Sequence, residues 1–233
     1  MIAFHAVNIQ KSFVQRLVLD LDLHFEEAQL HVILGPNGSG KTSLLRLLAL
    51  LDEPDRGEVL LKENGQSLTK DHNTRQRIVL VPRPDGLFNH TVSRNVAYGL
   101  KLRKMAKVQR SELIHEALEA VGLLHLRQAN ALTLSSGEKQ RLCLAMAMAV
   151  KPDVVLLDEP TSSLDPHNII QVEKIIGRMK EEARMIILVT HNISQARRLA
   201  DMVTFMGEDN TVFQSVAADF FSTSRGNGLD GYL

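Results

Sequence analysis

The chain has 233 residues and carries 27 Lys and Arg against 27 Asp and Glu, so its formal net charge is zero. With 44% hydrophobic and 23% charged residues, its composition is that of a globular domain and excludes a disordered or fibrous chain. The balanced charge gives no global attraction to nucleic acid or to an anionic membrane surface. The single cysteine, Cys143, excludes an intramolecular disulfide and a thiolate zinc site, which fits a reducing cytoplasm.

The longest purely apolar run covers residues 142–150, about half of the roughly 20 residues that span a bilayer. The N-terminus lacks the charged and then apolar pattern of a signal peptide. We therefore expect neither a membrane span nor a signal for export.

In chain order, the first predicted elements are strands. Residues 1–25 show alternating polarity and residues 58–61 form a further short strand, so we expect an antiparallel β layer. Unbroken apolar runs rich in β-branched residues predict strands buried on both faces of a parallel sheet. These runs lie at residues 31–34, 78–81, 154–157 and 186–189.

Helical patterns separate those runs, and this alternation predicts the α/β class. Residues 42–51 and 110–121 have the apolar spacing of helices, and Asp165 with Pro166 predicts the cap and first turn of another. Residues 88–133 look purely helical, which indicates an inserted helical subdomain.

The C-terminal part predicts a hairpin and then a tail. Residues 203–206 and 212–213 flank a turn signal, Gly-Glu-Asp-Asn. Ser, Thr, Gly and Asn dominate from residue 222 onward, which favours a loosely ordered end.

A phosphate-binding loop follows the first buried strand and directly precedes a helix. It fits the pattern Gly-x4-Gly-Lys-Ser/Thr and consists of Gly35, Pro36, Asn37, Gly38, Ser39, Gly40, Lys41 and Thr42. Backbone N–H groups of such a loop point at phosphates, Lys41 reaches the β and γ phosphates, and the Thr42 hydroxyl ligates Mg²⁺. An ordinary glycine-rich turn is the alternative, which the flanking strand and helix disfavour.

Two carboxylates end the strand at residues 154–157. Asp158 is predicted to hold the Mg²⁺ shell, and Glu159 to orient or deprotonate the attacking water. Kinases and GTPases use the same loop, and two acids at a strand end could instead cap a helix.

A third motif separates these alternatives. Residues 134–141 read Leu-Ser-Ser-Gly-Glu-Lys-Gln-Arg and resemble the signature of ATP-binding cassette (ABC) ATPases, usually Leu-Ser-Gly-Gly-Gln. Ser135 and Gly137 match, while Ser136 replaces a glycine and Glu138 a glutamine. The resemblance implies that this helix N-terminus meets the γ-phosphate bound by a second subunit. Ser135 and Glu138 also predict a capping box, and both roles can hold together.

Further motifs follow in the family's order. Residues 163–165, ending in Asp165, are similar to the D-loop, and His191 matches the switch histidine that contacts the γ-phosphate. Phe13 occupies the position of an aromatic that stacks on adenine. The resemblance covers about residues 2–215.

The resemblance implies a P-loop NTPase core with a parallel sheet, an antiparallel β layer and an inserted helical subdomain. We expect one ABC ATPase domain over residues 1–221, with the helical subdomain at about 88–150 and a flexible tail at 222–233. The implied cofactors are ATP and Mg²⁺.

One position departs from the family. Its Q-loop carries a glutamine that touches Mg²⁺ and links to the transmembrane partner, and here that position is Arg83. Arginine cannot ligate a metal but can pair with a phosphate oxygen or with the partner. We therefore expect altered coupling of hydrolysis at this position.

The chain carries one set of motifs, so the resemblance implies a homodimer of cassettes that sandwiches two ATP and two Mg²⁺. It also implies transmembrane permease subunits and a solute-binding protein as partners, with peripheral attachment at the cytoplasmic face of the membrane. The function it implies is ATP hydrolysis that powers import of a small solute. Residues 47–52 and 95–100 look most like cassettes of oxyanion importers, tungstate foremost and phosphate or molybdate behind.

The alternative from another class is a soluble ABC ATPase acting on nucleic acid or ribosomes. The chain has no room for the long coiled coils of repair-type members or for the second cassette of translation-type members. A basic run at Lys101, Arg103, Lys104, Lys107 and Arg110 could serve nucleic acid. Such a run is usually a solvated helical face, and nearby glutamates are expected to offset it.

Overall fold

The computed structural model describes residues 2–13, 16–26, 29–82, 86–182, 185–207 and 211–223. The strands are β1 (Ile2–Phe13), β2 (Arg16–Glu26), β3 (Leu30–Leu34), β4 (Arg56–Glu63), β5 (Gln66–Ser67), β6 (Ile78–Val81), β7 (Val154–Asp158), β8 (Met185–Thr190), β9 (Met202–Met206) and β10 (Val212–Val216). The helices are α1 (Lys41–Leu48), α2 (His72–Gln76), α3 (Val92–Leu102), α4 (Lys107–Ala120), α5 (Ser136–Ala149), α6 (Pro166–Glu182), α7 (Ile193–Leu199) and α8 (Ala217–Thr223). Short 3-10 turns lie at Leu124–Leu126 and Ala131–Thr133.

The chain divides into two compact units. The first contains residues within 1–80, 153–158 and 184–233, and the second contains residues within 81–152 and 159–183.

A mixed sheet forms the centre of the first unit, with the described strands in the order β10-β9-β3-β8-β7-β6. β3 runs parallel to β8 and β9, and β8 runs parallel to β7. Every residue of β3 and of β8 is buried, which is why both sequences are apolar except for His31 in β3 and Thr190 at the end of β8. β10 pairs antiparallel with β9, as predicted for a hairpin.

The first unit also contains an antiparallel sheet with the described strands in the order β2-β1-β4-β5. Along β2 the side chains of Leu19, Leu21, Leu23 and Phe25 are buried, while the polar residues between them are exposed. The buried face joins α1 and the mixed sheet in one hydrophobic cluster. The predicted combination of a parallel core and an antiparallel layer is therefore confirmed.

The second unit is helical, and α5 is its central element. α3, α4 and α6 all contact α5. This explains why α5 is apolar around much of its circumference, with Leu142, Leu144 and Ala145 fully buried. The Arg103 guanidinium donates a hydrogen bond to the Val150 carbonyl beyond the end of α5.

Some predicted boundaries differ from the structure. The predicted helix at residues 42–51 ends earlier, at Leu48, because the chain turns left-handed at Leu50, whose φ is 56°. The Leu51 N–H bonds to the Arg46 carbonyl across this turn, the pattern of a helix C-terminus. α8 reaches Thr223, and the rest of the predicted tail lies outside the described residues.

Candidate functional site

The phosphate loop lies between β3 and α1, and glycine is required at two of its positions. A Cβ added to Gly35 would lie 2.2 Å from the Met206 carbonyl oxygen. Gly40 has φ 90°, and a Cβ there would lie 2.6 Å from Leu19 Cδ2. The buried Lys41 ammonium donates to the carbonyl oxygens of Gly35 and Pro36, at 2.8 and 2.5 Å, which holds it over the loop.

Ser39 lies in the same loop. Its side chain is buried, and among the described residues its hydroxyl has no hydrogen-bond partner. A buried hydroxyl without a partner is costly unless a ligand or water satisfies it. The loop also leads into the N-terminus of α1, where unpaired N–H groups favour an anion. These features fit the predicted phosphate site.

Thr42 and Asp158 meet in the first unit. The Thr42 hydroxyl lies 3.1 Å from Asp158 Oδ2 and 3.3 Å from Oδ1. A hydroxyl and a carboxylate are hard oxygen ligands that suit Mg²⁺. Among the described residues no group of three or more His, Cys, Asp and Glu could hold a metal. The pair thus fits a Mg²⁺ that takes its other ligands from phosphate and water.

The parallel register explains why these residues share one edge of the sheet. Leu34 of β3 pairs with Thr190 of β8, and Val189 of β8 pairs with Asp158 of β7. The loop after β3, Asp158 and the exposed His191 therefore all follow the carboxyl ends of adjacent strands, where open α/β sheets bind ligands.

Glu159 follows Asp158 directly and is the first residue of its segment of the second unit. It is only 8% exposed, and its φ of 47° is unusual for a residue with a side chain. The Ser162 N–H and hydroxyl both donate to the Glu159 carbonyl oxygen, at 3.1 and 3.0 Å, and close a tight turn. Strained backbone of this kind is concentrated at functional sites.

The signature segment lies at the N-terminus of α5, where the predicted capping box is present. The Glu138 N–H donates to Ser135 Oγ at 3.3 Å. Glu138 Oε2 in turn accepts from the Ser135 N–H at 2.9 Å and from its hydroxyl at 2.8 Å. The Ser135 backbone N–H is the main reason that the pKa of the Glu138 carboxyl lies below its ordinary value. Ser136, the first residue of α5, is exposed.

Gly137 contacts the start of α6. A Cβ added there would lie 2.2 Å from Asn168 Oδ1, so no side chain fits. Asn168 donates from its N–H to Asp165 Oδ1 at 3.0 Å and from Nδ2 to Asp165 Oδ2 at 2.5 Å. The backbone bond is the larger cause of a lowered pKa for Asp165. Asn168 thus links the signature segment to the D-loop segment. The sequence did not predict this contact, because residue spacing along one helix does not reveal its contacts with another helix.

Two predicted site residues, Arg83 and Phe13, lie wholly or partly outside what the structure describes. Arg83 is not among the described residues. The backbone of Phe13 pairs with Arg16 in the β1–β2 ladder, but its side chain lies outside what the structure describes. Their predicted roles stay predictions.

No helix within the described ranges is both long enough and apolar enough to cross a membrane.

Comparison with known proteins gives consistent matches. A family profile described as "ABC transporter" matches residues 18–162. The probable amino-acid import ATP-binding protein YxeO of Bacillus subtilis is 36% identical over 222 residues, which cover 92% of this chain and 89% of YxeO. The tungstate uptake system ATP-binding protein TupC of Peptoclostridium acidaminophilum is 37% identical over 201 residues, covering 85% of this chain and 92% of TupC. The solved structure of CbiO1 from Clostridium perfringens, part of the ABC transporter complex cbiONQ, matches with a TM-score of 0.83 at 25% identity and covers 94% of this chain and 90% of CbiO1.

Proposed function

The chain belongs to the ABC transporter family, and from this membership we propose that it is the ATP-hydrolysing subunit of an importer for a small solute. It binds ATP, and it is an ATPase whose reaction is coupled to transport. The observation that best supports the proposal is the contact between the Thr42 hydroxyl and Asp158 directly beside the phosphate loop.

In the proposed mechanism, the loop N–H groups and Lys41 hold the β and γ phosphates. Thr42 and Asp158 would hold Mg²⁺, and the bound ion would offset the charge that develops on the phosphate oxygens. Glu159 orients or deprotonates the attacking water, and His191 contacts the γ-phosphate.

The proposed active form is a head-to-tail homodimer. The chain has one phosphate loop and one signature segment, so a second copy is needed to complete each nucleotide site. Ser135, Ser136, Gly137 and Glu138, with Asp165 nearby, supply the second half of the site. The exposed N-terminus of α5 supports this role, since a helix N-terminus attracts anions.

The proposed partners are separate transmembrane permease subunits, together with a solute-binding protein. Attachment to the permease places the chain at the cytoplasmic face of the membrane as a peripheral subunit. Support comes from relatives named as import ATP-binding proteins.

We propose an oxyanion, tungstate foremost, as the solute. Sequence identity does not decide between tungstate and amino acids as the solute. TupC, named for tungstate uptake, and YxeO, named for amino-acid import, are 37% and 36% identical to this chain. Uptake of tungstate and of amino acids by cells that express the chain with its cognate permease tests this proposal. Uptake of amino acids alone would overturn it.

Steady-state ATP hydrolysis by the purified chain, with and without Mg²⁺, tests the site itself. We expect Mg²⁺-dependent hydrolysis that falls by about 10²-fold to 10⁴-fold in Glu159→Gln, the usual contribution of a general base. Lys41→Ala is expected to abolish it, whereas Lys174→Ala, at an exposed position of α6, keeps the wild-type rate. Equal rates in all variants would show that this loop is not the hydrolytic site.

A further inference from the structure

A pocket of about 270 Å³ lies in the second unit, between α3, α4 and the residues that follow α4. The cationic side chains that line it are Arg94, Lys101, Lys107, Arg110 and Arg127, with His115 beside them. Among the described residues, no Asp or Glu lines this pocket. It is therefore a concave site with one sign of charge.

The glutamates of α4 do not line the pocket. Lys107 and Arg110 are three positions apart and lie on the face of α4 that lines it. Glu112, Glu116 and Glu119 occupy other positions around the helix and are not among the lining residues. No carboxylate of α4 is therefore in the lining of this concavity, although glutamates lie close to these cations in the sequence.

The lining cations are also not neutralised by ion pairs. Within the part of the chain that the structure describes, Arg94, Lys101, Lys107 and Arg127 have no carboxylate partner. Arg110 Nη1 donates to the Met105 carbonyl at 3.0 Å, which fixes its guanidinium. Like charges gathered around a concavity raise the local positive potential and attract anions.

The remaining lining residues define the ligand further. Ser93 and Ser111 contribute hydroxyls, while Ala97 and Leu118 are buried apolar residues of the lining. Guanidinium groups bind phosphate oxygens in pairs, and hydroxyls complete such sites. A volume of about 270 Å³ lies just below the usual range for small-ligand pockets, which favours a small ligand.

We propose that this pocket binds a small anion that carries more than one phosphate charge. Its residues are different from those of the phosphate loop, so the site is additional to the ATP site. The phosphate can come from a free metabolite or from a lipid headgroup, and the chemistry of recognition is the same.

Titration calorimetry with inorganic pyrophosphate in Mg²⁺-free buffer tests the proposal, with Lys41→Ala in every protein, including the one with the wild-type pocket, so that the phosphate loop is disabled. We expect binding that weakens at higher salt and is at least about tenfold weaker in the double variant Lys101→Gln/Lys107→Gln. Arg94→Gln/Arg127→Gln, a second and independent pair, is expected to weaken binding similarly. Lys70→Gln/Lys174→Gln removes the same charge at exposed positions elsewhere and is expected to bind as wild type does.

A second arm measures sedimentation with vesicles of phosphatidylcholine, with or without cardiolipin, whose headgroup carries two phosphates. Binding to cardiolipin vesicles that both pocket variants lose would identify a headgroup as the source, and pyrophosphate binding alone would identify a free anion. No binding by the wild type in either arm, or the same binding in the pocket variants and the control, would overturn the proposal.

Discussion

Glu138 is the residue at which two predicted roles compete. Its carboxylate closes the capping box of α5 and keeps its negative charge, since its pKa is lowered by the Ser135 N–H. The same charge stands at the helix end that is proposed to meet a γ-phosphate, where a negative side chain repels the ligand. A glutamine would keep a hydrogen-bond acceptor at this position without the charge.

We therefore predict that Glu138→Gln lowers the ATP concentration needed for dimer formation by about threefold to tenfold, or up to ~1.4 kcal/mol. Light scattering across an ATP titration, with Glu159→Gln also present, measures the ATP concentration at the midpoint of dimer formation. Glu112→Gln, an exposed glutamate of α4, serves as the control and leaves the midpoint unchanged. A midpoint raised by Glu138→Gln would show that the capping role dominates.

His31 in β3 predicts a pH dependence of stability. It is 2% exposed, its Nε2 lies 2.9 Å from the Glu26 carbonyl oxygen, and burial lowers its pKa. That hydrogen bond and the charges of Asp201 and Glu26 offset the effect in part. Because the unfolded chain then binds the proton more tightly, the free energy of unfolding falls as the pH drops below about 6.5.

Urea unfolding between about pH 7.5 and about pH 5.5 measures this dependence. His31→Gln is expected to have a shallower pH slope than wild type. Val32→Ala, which weakens the same buried strand but keeps the histidine, is expected to retain the wild-type slope. Equal slopes in His31→Gln and wild type would contradict the assignment.

At the level of secondary-structure elements, Arg77 connects separate parts of the first unit through ion pairs. Its guanidinium binds Glu63 of β4 through two hydrogen bonds, at 2.8 and 3.1 Å, and Asp153 just before β7 at 2.5 Å. All three side chains are about a quarter to a third exposed. Arg77 thereby joins the antiparallel sheet to the mixed sheet.

We predict that Arg77→Met lowers the free energy of unfolding by about 2–3 kcal/mol, because two carboxylates lose a charged partner. Arg46→Met is the control, since Arg46 also makes two hydrogen bonds to one carboxylate, that of Asp52, but is 48% exposed. It is expected to cost no more than about 1 kcal/mol. Urea denaturation of both variants measures how much free energy of unfolding each one loses. Equal losses in the two variants would contradict the bridging role of Arg77.

The strands of the core could be predicted because residues buried on both faces of a sheet must be apolar. β3 and β8 are therefore visible in the sequence as mainly apolar stretches, although β3 also contains His31. The end of α1 could not be predicted, since apolar residues continue past Leu48 while the backbone turns left-handed at Leu50. The basic pocket could not be predicted either, because spacing along α4 does not tell which of its faces meets α3.

Predictability differs in the same way within the candidate site. The phosphate loop and Asp158 depend on local sequence and on strand ends, so the sequence predicts them together. The contact between Gly137 and Asn168 depends on how α5 and α6 pack, which local patterns do not encode.

For the whole molecule, we propose that two copies of this chain close around ATP. Glu159→Gln is expected to slow hydrolysis and so to trap the closed form. Light scattering on this variant with saturating ATP and Mg²⁺ measures the mass directly. We predict a species of twice the 26.0 kDa chain mass that reverts to a monomer without ATP. A mass that stays at that of one chain at saturating ATP would contradict it.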